Sequence, residues 1–184
     1  LEELRIILRP MAETGAEPIG SMGNDVPLAV LSDRPQLVFN YFKQLFAQVT
    51  NPPLDAIREE LVTSLEMWLG SEGNLLDETS QHCHQLKLPH PVLTDEELER
   101  IRRIDVGGLK ASTISTLFRP ADGPGSMEKA LDRVCQEAAQ AIDKGNAIII
   151  LSDRGVDADH APIPSLLSTS AVHHFLIRES LRMK

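Results

Sequence analysis

Ala147-Ile148-Ile149-Ile150-Leu151 is the stretch whose reading decides the fold. Five apolar residues in succession, with turn residues on both sides, read as a strand buried on both faces. Upstream, Ala111 to Phe118 is β-branched and strand-like. Between the two, Ser126 stands as the cap of a helix that ends at Gly145. A strand, a crossover helix and a second strand buried on both faces make a right-handed βαβ unit with parallel strands. Ser165 opens a further helix, whose pattern runs to Arg182-Met183-Lys184. The expected class is α/β.

Working back toward the start, the signals shorten. Leu1 to Leu8 reads as a helix closed by Pro10, and Met11 to Asp25 as a loop. Leu28-Ala29-Val30-Leu31 is a short apolar run expected to form a buried strand. Ser32 or Asp33 then caps a helix with Pro35 in its first turn, and Leu37, Val38, Tyr41, Leu45 and Phe46 share one face. Asp55 caps a second helix carrying Ile57, Leu61, Leu65 and Trp68, which Gly70 ends. Leu75 to Leu86 is expected as a short helix and Lys87 to Leu93 as an extended stretch. Thr94 with Glu97 forms a capping box for a helix to about Arg103. Leu31-Ser32-Asp33-Arg34 recurs as Leu151-Ser152-Asp153-Arg154, either an ancient βα duplication or the ordinary preference of strand ends for Ser and Asp.

The chain has 184 residues, 42% hydrophobic and 24% charged, which suits one globular domain with a real core. Its net charge of −9 disfavours nucleic-acid binding, which needs a basic surface. No apolar run approaches the ~20 residues of a membrane span. Cys83 and Cys135 make no disulfide framework and have no CxxC partner, so the expected setting is reducing and cytoplasmic. The first residue, Leu1, falls inside a helical pattern, and so does the last. The expectation is a single-domain segment, 1–184, cut from something larger at both ends.

Two loops look shaped. In Gly20-Ser21-Met22-Gly23-Asn24-Asp25, glycines bracket Met22 and permit close backbone approach. In Val49-Thr50-Asn51-Pro52-Pro53, the prolines stiffen the loop and push Asn51 out of the α region. With their surroundings these loops read GSMGNDVPLAVLSDRPQ (20–36) and LFAQVTNPPLDAIREEL (45–61). Together with IIILSDRGVDADHAPIPSLLSTSAVHHFLIRESLRMK (148–184), they resemble the central domain of glutamate synthases, from about Ile7 to Lys184.

That resemblance implies an α/β domain like a rudimentary or partial (β/α) barrel, set between a glutamine amidotransferase domain and an FMN-binding barrel. It implies an enzyme that makes L-glutamate from L-glutamine and 2-oxoglutarate, with FMN and an iron–sulfur cluster held by other domains and no cofactor in this segment. For this segment it implies a connecting role and a share in the ammonia tunnel wall, with Met22, Thr50 and Asn51 at the tunnel entrance. The electron donor, NADPH or ferredoxin, is left open. Two positions depart from the usual pattern: Phe175 stands where a third histidine is common, and Ser180 where glycine is common.

The residues themselves offer several further candidates. Asp153-Arg154-Gly155-Val156-Asp157-Ala158-Asp159-His160 leaves the carboxyl end of a strand, where α/β domains bind ligands. Asp153, Arg154 and Asp157 are therefore the candidate ligand residues of an alternative reading, a freestanding small-ligand-binding module. The plainer reading is ion-paired packing of Arg154 with the loop's own acids. Calcium binding would need a glycine after the third acid and a closing Glu. His82-Cys83-His84 and His173-His174 lack zinc-site spacing, so no metal is expected. Ser165, His173 and Asp153 or Asp157 supply the residue types of a triad but no elbow motif, and no catalytic residue is assigned. Phe39, Tyr41, Phe42 and Phe46 are expected in the core. Ala121 to Ser126 is expected as a plain turn.

Overall fold

A computed structural model describes residues 4–15, 26–43 and 55–184. The chain divides into two compact units, Leu1–Pro53 and Leu54–Lys184.

In the first unit, a π-type turn at Leu4–Leu8 leads into α1 (Arg9–Thr14). Pro10 starts this helix rather than closing one. A proline in the first turn withholds only an N–H that has no partner there anyway. The predicted strand at Leu28–Leu31 is instead a 3-10 turn, Ala29–Leu31, and the helix predicted after Pro35 is a 3-10 segment, Val38–Phe42. Neither buries a residue. Phe39, Tyr41 and Phe42 are 53%, 51% and 72% exposed, which corrects their expected core placement. An apolar run of four residues specifies a strand only if a partner strand lies beside it, and no strand forms among the described residues of this unit. Leu45 and Phe46 lie outside the described residues.

The second unit begins at α2 (Ala56–Val62), which Asp55 caps by accepting N–H bonds from Ile57 at 3.0 Å and Arg58 at 2.9 Å. The helix stops well before Trp68. Ser64 Oγ accepts the Glu66 N–H at 3.2 Å, a local bond that competes with helix continuation. Trp68 belongs instead to β1 (Met67–Leu69), antiparallel to β2 (Leu86–Leu88). Gly70 therefore ends no helix. Its φ is +146°, and a Cβ there would sit 3.1 Å from Leu109 Cδ2 and 3.2 Å from the His84 carbonyl, so the close approach needs glycine.

The helix predicted over Leu75–Leu86 shrinks to a 3-10 turn, Ser80–Cys83. Side chains claim the backbone first: Asn74 Oδ1 accepts the Leu76 N–H at 3.1 Å, and the His82 ring reaches two carbonyls.

From Thr94 onward sequence and structure agree closely. The capping box forms as read, with Thr94 Oγ1 accepting from Glu97 N–H and Glu97 Oε2 accepting from Thr94 N–H at 2.8 Å, opening α3 (Asp95–Arg102). Those bonds from Thr94, backbone first, hold the Glu97 carboxyl below its ordinary pKa. Then follow β3 (Asp105–Val106), β4 (Leu109–Ser115), β5 (Leu117–Phe118), α4 (Ser126–Asp143), β6 (Ile148–Ser152), β7 (Ala161–Pro162) and α5 (Ser165–Arg178). Ser126 is the first helical residue rather than the cap, a position taken by Gly125, and Ser165 opens α5 as expected, directly after Pro164.

The strand–helix–strand reading holds. β4 and β6 pair in parallel, Ala111 opposite Ile148 through Ser115 opposite Ser152, with α4 as the crossover. The sheet order is β3-β4-β6, with β3 antiparallel to β4, and β5 with β7 makes a separate pair. The architecture is thus mixed α/β with one parallel pair, and no closed barrel is found among the described residues.

The core lies between this sheet and the two long helices. Along α4, Ala130, Val134, Cys135, Ala138 and Ala141 are buried at helical spacing. Ile114, Ile163, Val172 and Leu176 complete the cluster. The end of α4 is a Schellman closure: Gly145 N–H donates to Ile142 at 2.8 Å and Asn146 N–H to Ala141 at 3.0 Å, with Gly145 at φ +83°. Thr116, 3% exposed and set between β4 and β5, links them to β6 and to the residue that follows β7. Its N–H donates to the Ser152 carbonyl and its own carbonyl accepts from Ile163.

Candidate functional site

The loop behind β6 is the described part of the chain that carries the sequence candidates. It begins with Ser152 Oγ accepting the Arg154 N–H at 3.3 Å. The same turn occurs at the earlier copy of the tetrapeptide, where Ser32 Oγ accepts the Arg34 N–H at 3.1 Å. That copy follows a 3-10 turn and not a strand, so the likeness lies in the local serine turn.

Asp157 organises the tip. Its Oδ1 accepts the N–H of Asp159 at 2.9 Å, the N–H of His160 at 2.8 Å and the His160 ring at 2.8 Å. These bonds, the His160 side chain first, hold the Asp157 carboxyl below its ordinary range. Arg154 turns away from the loop's acids. Its guanidinium lies 3.0 Å from Asp95 and 3.3 Å from Glu99, one turn apart on α3. The expected pairing with the loop's own acids is thereby corrected, because the fork of the guanidinium fits two carboxylates spaced i, i+4. Asp153 takes part in no ion pair among the described residues. The three candidate residues thus do not converge: Arg154 reaches α3, Asp157 faces His160, and Asp153 is exposed.

The other candidates separate as well. Ser165 and His173 lie eight residues apart on α5, about 12 Å along its axis. His173 Nδ1 accepts from Arg182 Nε at 3.2 Å, so no triad assembles. His82 has both ring nitrogens engaged, at 2.8 Å from the Glu72 carbonyl and 2.6 Å from that of Asp77. Among the described residues no group of three or more His, Cys, Asp or Glu side chains is arranged to hold a metal ion. Beside the loop, Arg119, Lys129, Arg133 and His160 line an open depression of about 370 Å³, a grouping not read from the sequence. The i, i+4 spacing of Lys129 and Arg133 on α4 was its one visible sign. Arg133 is committed there, donating to the carbonyls of Ser115 and Leu117 at 3.1 Å each and pairing with Glu137 at 3.0 Å. Met22, Thr50 and Asn51 lie outside the described residues.

Over residues 1–184 the chain matches the family described as the glutamate synthase central domain. The chain belongs to that family. The domain is 48% identical to the glutamate synthase [NADPH] large chain of Bacillus subtilis, over 100% of this chain and 12% of that protein. It is 42% identical to the glutamate synthase [NADH] of Schizosaccharomyces pombe, over 100% of this chain and 9% of that protein. It is also 42% identical to the chloroplastic ferredoxin-dependent glutamate synthase of Spinacia oleracea, over 99% of this chain and 11% of that protein. The domain thus spans about a tenth of the length of the relatives it matches. Among the described residues no helix is long and apolar enough to cross a membrane.

Proposed function

We propose that this chain is the connecting central domain of a glutamate synthase, joining the glutamine amidotransferase domain to the FMN-binding synthase domain and lining the ammonia passage between them. The whole enzyme forms L-glutamate from L-glutamine and 2-oxoglutarate. Ammonia released from glutamine condenses with the keto acid, water leaves, and the resulting imine is reduced. FMN and the iron–sulfur cluster belong to other domains in this reading, and no step passes through a cofactor held here. The enzyme works in a soluble compartment, the cytoplasm or a plastid. A partial-barrel architecture remains our expectation for the domain in its full-length setting.

One observation carries the reading. The same segment recurs at 48%, 42% and 42% identity in relatives named for NADPH, NADH and ferredoxin. A segment so similar whatever the electron donor serves a step common to all three, and moving ammonia to the synthase site is such a step. Neutral ammonia needs a dry, mildly polar constriction that excludes proton donors. Met22 supplies an adaptable apolar side chain, and Thr50 and Asn51 supply hydrogen-bonding groups.

The test uses full-length enzyme carrying Thr50→Ala or Asn51→Ala. The expected result is glutamine hydrolysed in excess over 2-oxoglutarate reduced, with both half-reactions intact when assayed alone. Hydrolysis and reduction that stay matched in both variants would overturn the passage.

A further inference from the structure

The sheet order β3-β4-β6 leaves β6 paired on one side only among the described residues. Its sequence, Ile148-Ile149-Ile150-Leu151-Ser152, carries no charge and no proline, the usual devices that protect a free edge. The bond from Thr116 N–H to the Ser152 carbonyl at 2.9 Å turns the backbone groups of Ser152 toward β4. By alternation those of Ile150 and Ile148 follow, and those of Ile149 and Leu151 face outward. Outside the sheet ladder, Ile149 and Leu151 make no hydrogen bond among the described residues.

A second half-paired strand stands near. Among the described residues β1 pairs only with β2, and its Trp68 is 55% exposed. A cleft of about 280 Å³ is lined by Trp68 and Leu69 of β1 and by Ile148, Ile149 and Leu151 of β6, together with residues of α5. Glu72 and Arg182 supply its charged groups, and His173 contributes the ring nitrogen that accepts from Arg182. The cleft thus joins an unpaired backbone edge to apolar side-chain surface, the combination that strand addition uses.

We infer that an extended apolar segment of the enclosing synthase polypeptide, from outside these 184 residues, adds to the outer edge of β6 and covers Trp68 and Leu69. The inference rests on the reading of this chain as part of a synthase. Relatives of which it covers 9% and 12% hold most of their length elsewhere, so a tethered segment is available at high effective concentration. The added strand satisfies the Ile149 and Leu151 backbone groups, which a side chain filling the cleft would leave unpaired.

Hydrogen exchange resolved to single amides on the full-length synthase tests this. The Ile149 and Leu151 amides are expected to exchange within about tenfold of those of Ile150 and Ser152, at every enzyme concentration. A benzophenone amino acid replacing Trp68 is expected to cross-link to a peptide outside the 184 residues. Amides about a hundredfold faster at Ile149 and Leu151 would overturn the inference. So would protection lost on dilution, which assigns the edge to a second copy, or cross-links confined to these residues. If the Trp68 variant does not fold, exchange in the unmodified enzyme decides alone. Protected amides with a fully coupled Thr50→Ala variant would retire the ammonia passage and keep the added strand. Fast amides with an uncoupled variant would do the reverse.

Discussion

Leu181 donates its backbone N–H to the carbonyl of Leu176 at 2.8 Å, and with the Ser180 N–H to Ile177 at 3.0 Å this closes α5. The closure holds Ser180 at φ +57°, the one non-glycine residue with positive φ among the described residues. It also ends the helical pattern that the sequence carries on to Lys184. Leu181 packs against the core that includes Leu176, which supports the turn.

Left-handed backbone costs a side-chain-bearing residue about 1–2 kcal/mol, part of which glycine returns through its freer unfolded chain. Ser180→Gly is therefore expected to stabilise the protein by about 1 kcal/mol. Urea denaturation at an unchanged slope measures it. An unchanged or lower midpoint would show that the serine is not strained there.

Arg154 ties the loop behind β6 to α3 through Asp95 and Glu99, but its side chain is 53% exposed and that of Asp95 92%. Such pairs contribute little. Arg154→Ala is expected to cost below about 1 kcal/mol, and the cost should fade near 1 M salt, where the screening length is about 3 Å. A larger, salt-independent loss would point to a packing role for the arginine stem.

The depressed Asp157 carboxyl has a defined pH signature. Its folded pKa lies below the unfolded value, because His160 and two backbone N–H groups bond the charged form. Its stabilising contribution is thus complete above the ordinary carboxylate range and is lost as pH falls through the folded value. Asp157→Asn should lower the stability at neutral pH and flatten its fall toward acid, so that the two curves converge at low pH. An NMR titration of Asp157 with an ordinary midpoint would contradict the bonding described.

Ile163 is 2% exposed and belongs to the central cluster, whereas Ile177 on the outer side of α5 is 49% exposed. Ile163→Ala is expected to cost about 2 to 5 kcal/mol through lost contacts and the cavity left behind. Ile177→Ala should stay within about 0.5 kcal/mol. Chemical denaturation of both variants compares them, and equal losses would contradict the core assignment.

Legibility divides along the chain. The capping box at Thr94 and the turn at Gly145 were readable because both rest on contacts within a few residues. The parallel pairing of β4 with β6 was readable because an apolar run, a long amphipathic helix and a β-branched run leave little other choice. Leu28–Leu31, the aromatic group at Phe39–Phe42 and the extension of α2 to Trp68 were misread. In each, apolar spacing fits a helix or strand, and the outcome turned on whether a distant surface was there to pack against. At the candidate site, the serine turn at Ser152 and the carboxylate at Asp157 act locally. The partner of Arg154 is 55 to 59 residues away and could not be read.

The sequence by itself determined the family, the α/β class, the βαβ unit and the caps at Asp55 and Thr94, because each depends on local geometry or on long uninterrupted likeness. Only the tertiary structure decided that Arg154 serves α3, that Thr116 bonds both Ser152 and Ile163, and that among the described residues β6 leaves one edge unpaired beside Trp68. Those are relations between residues far apart in the chain, fixed by how the elements pack and not by any local preference.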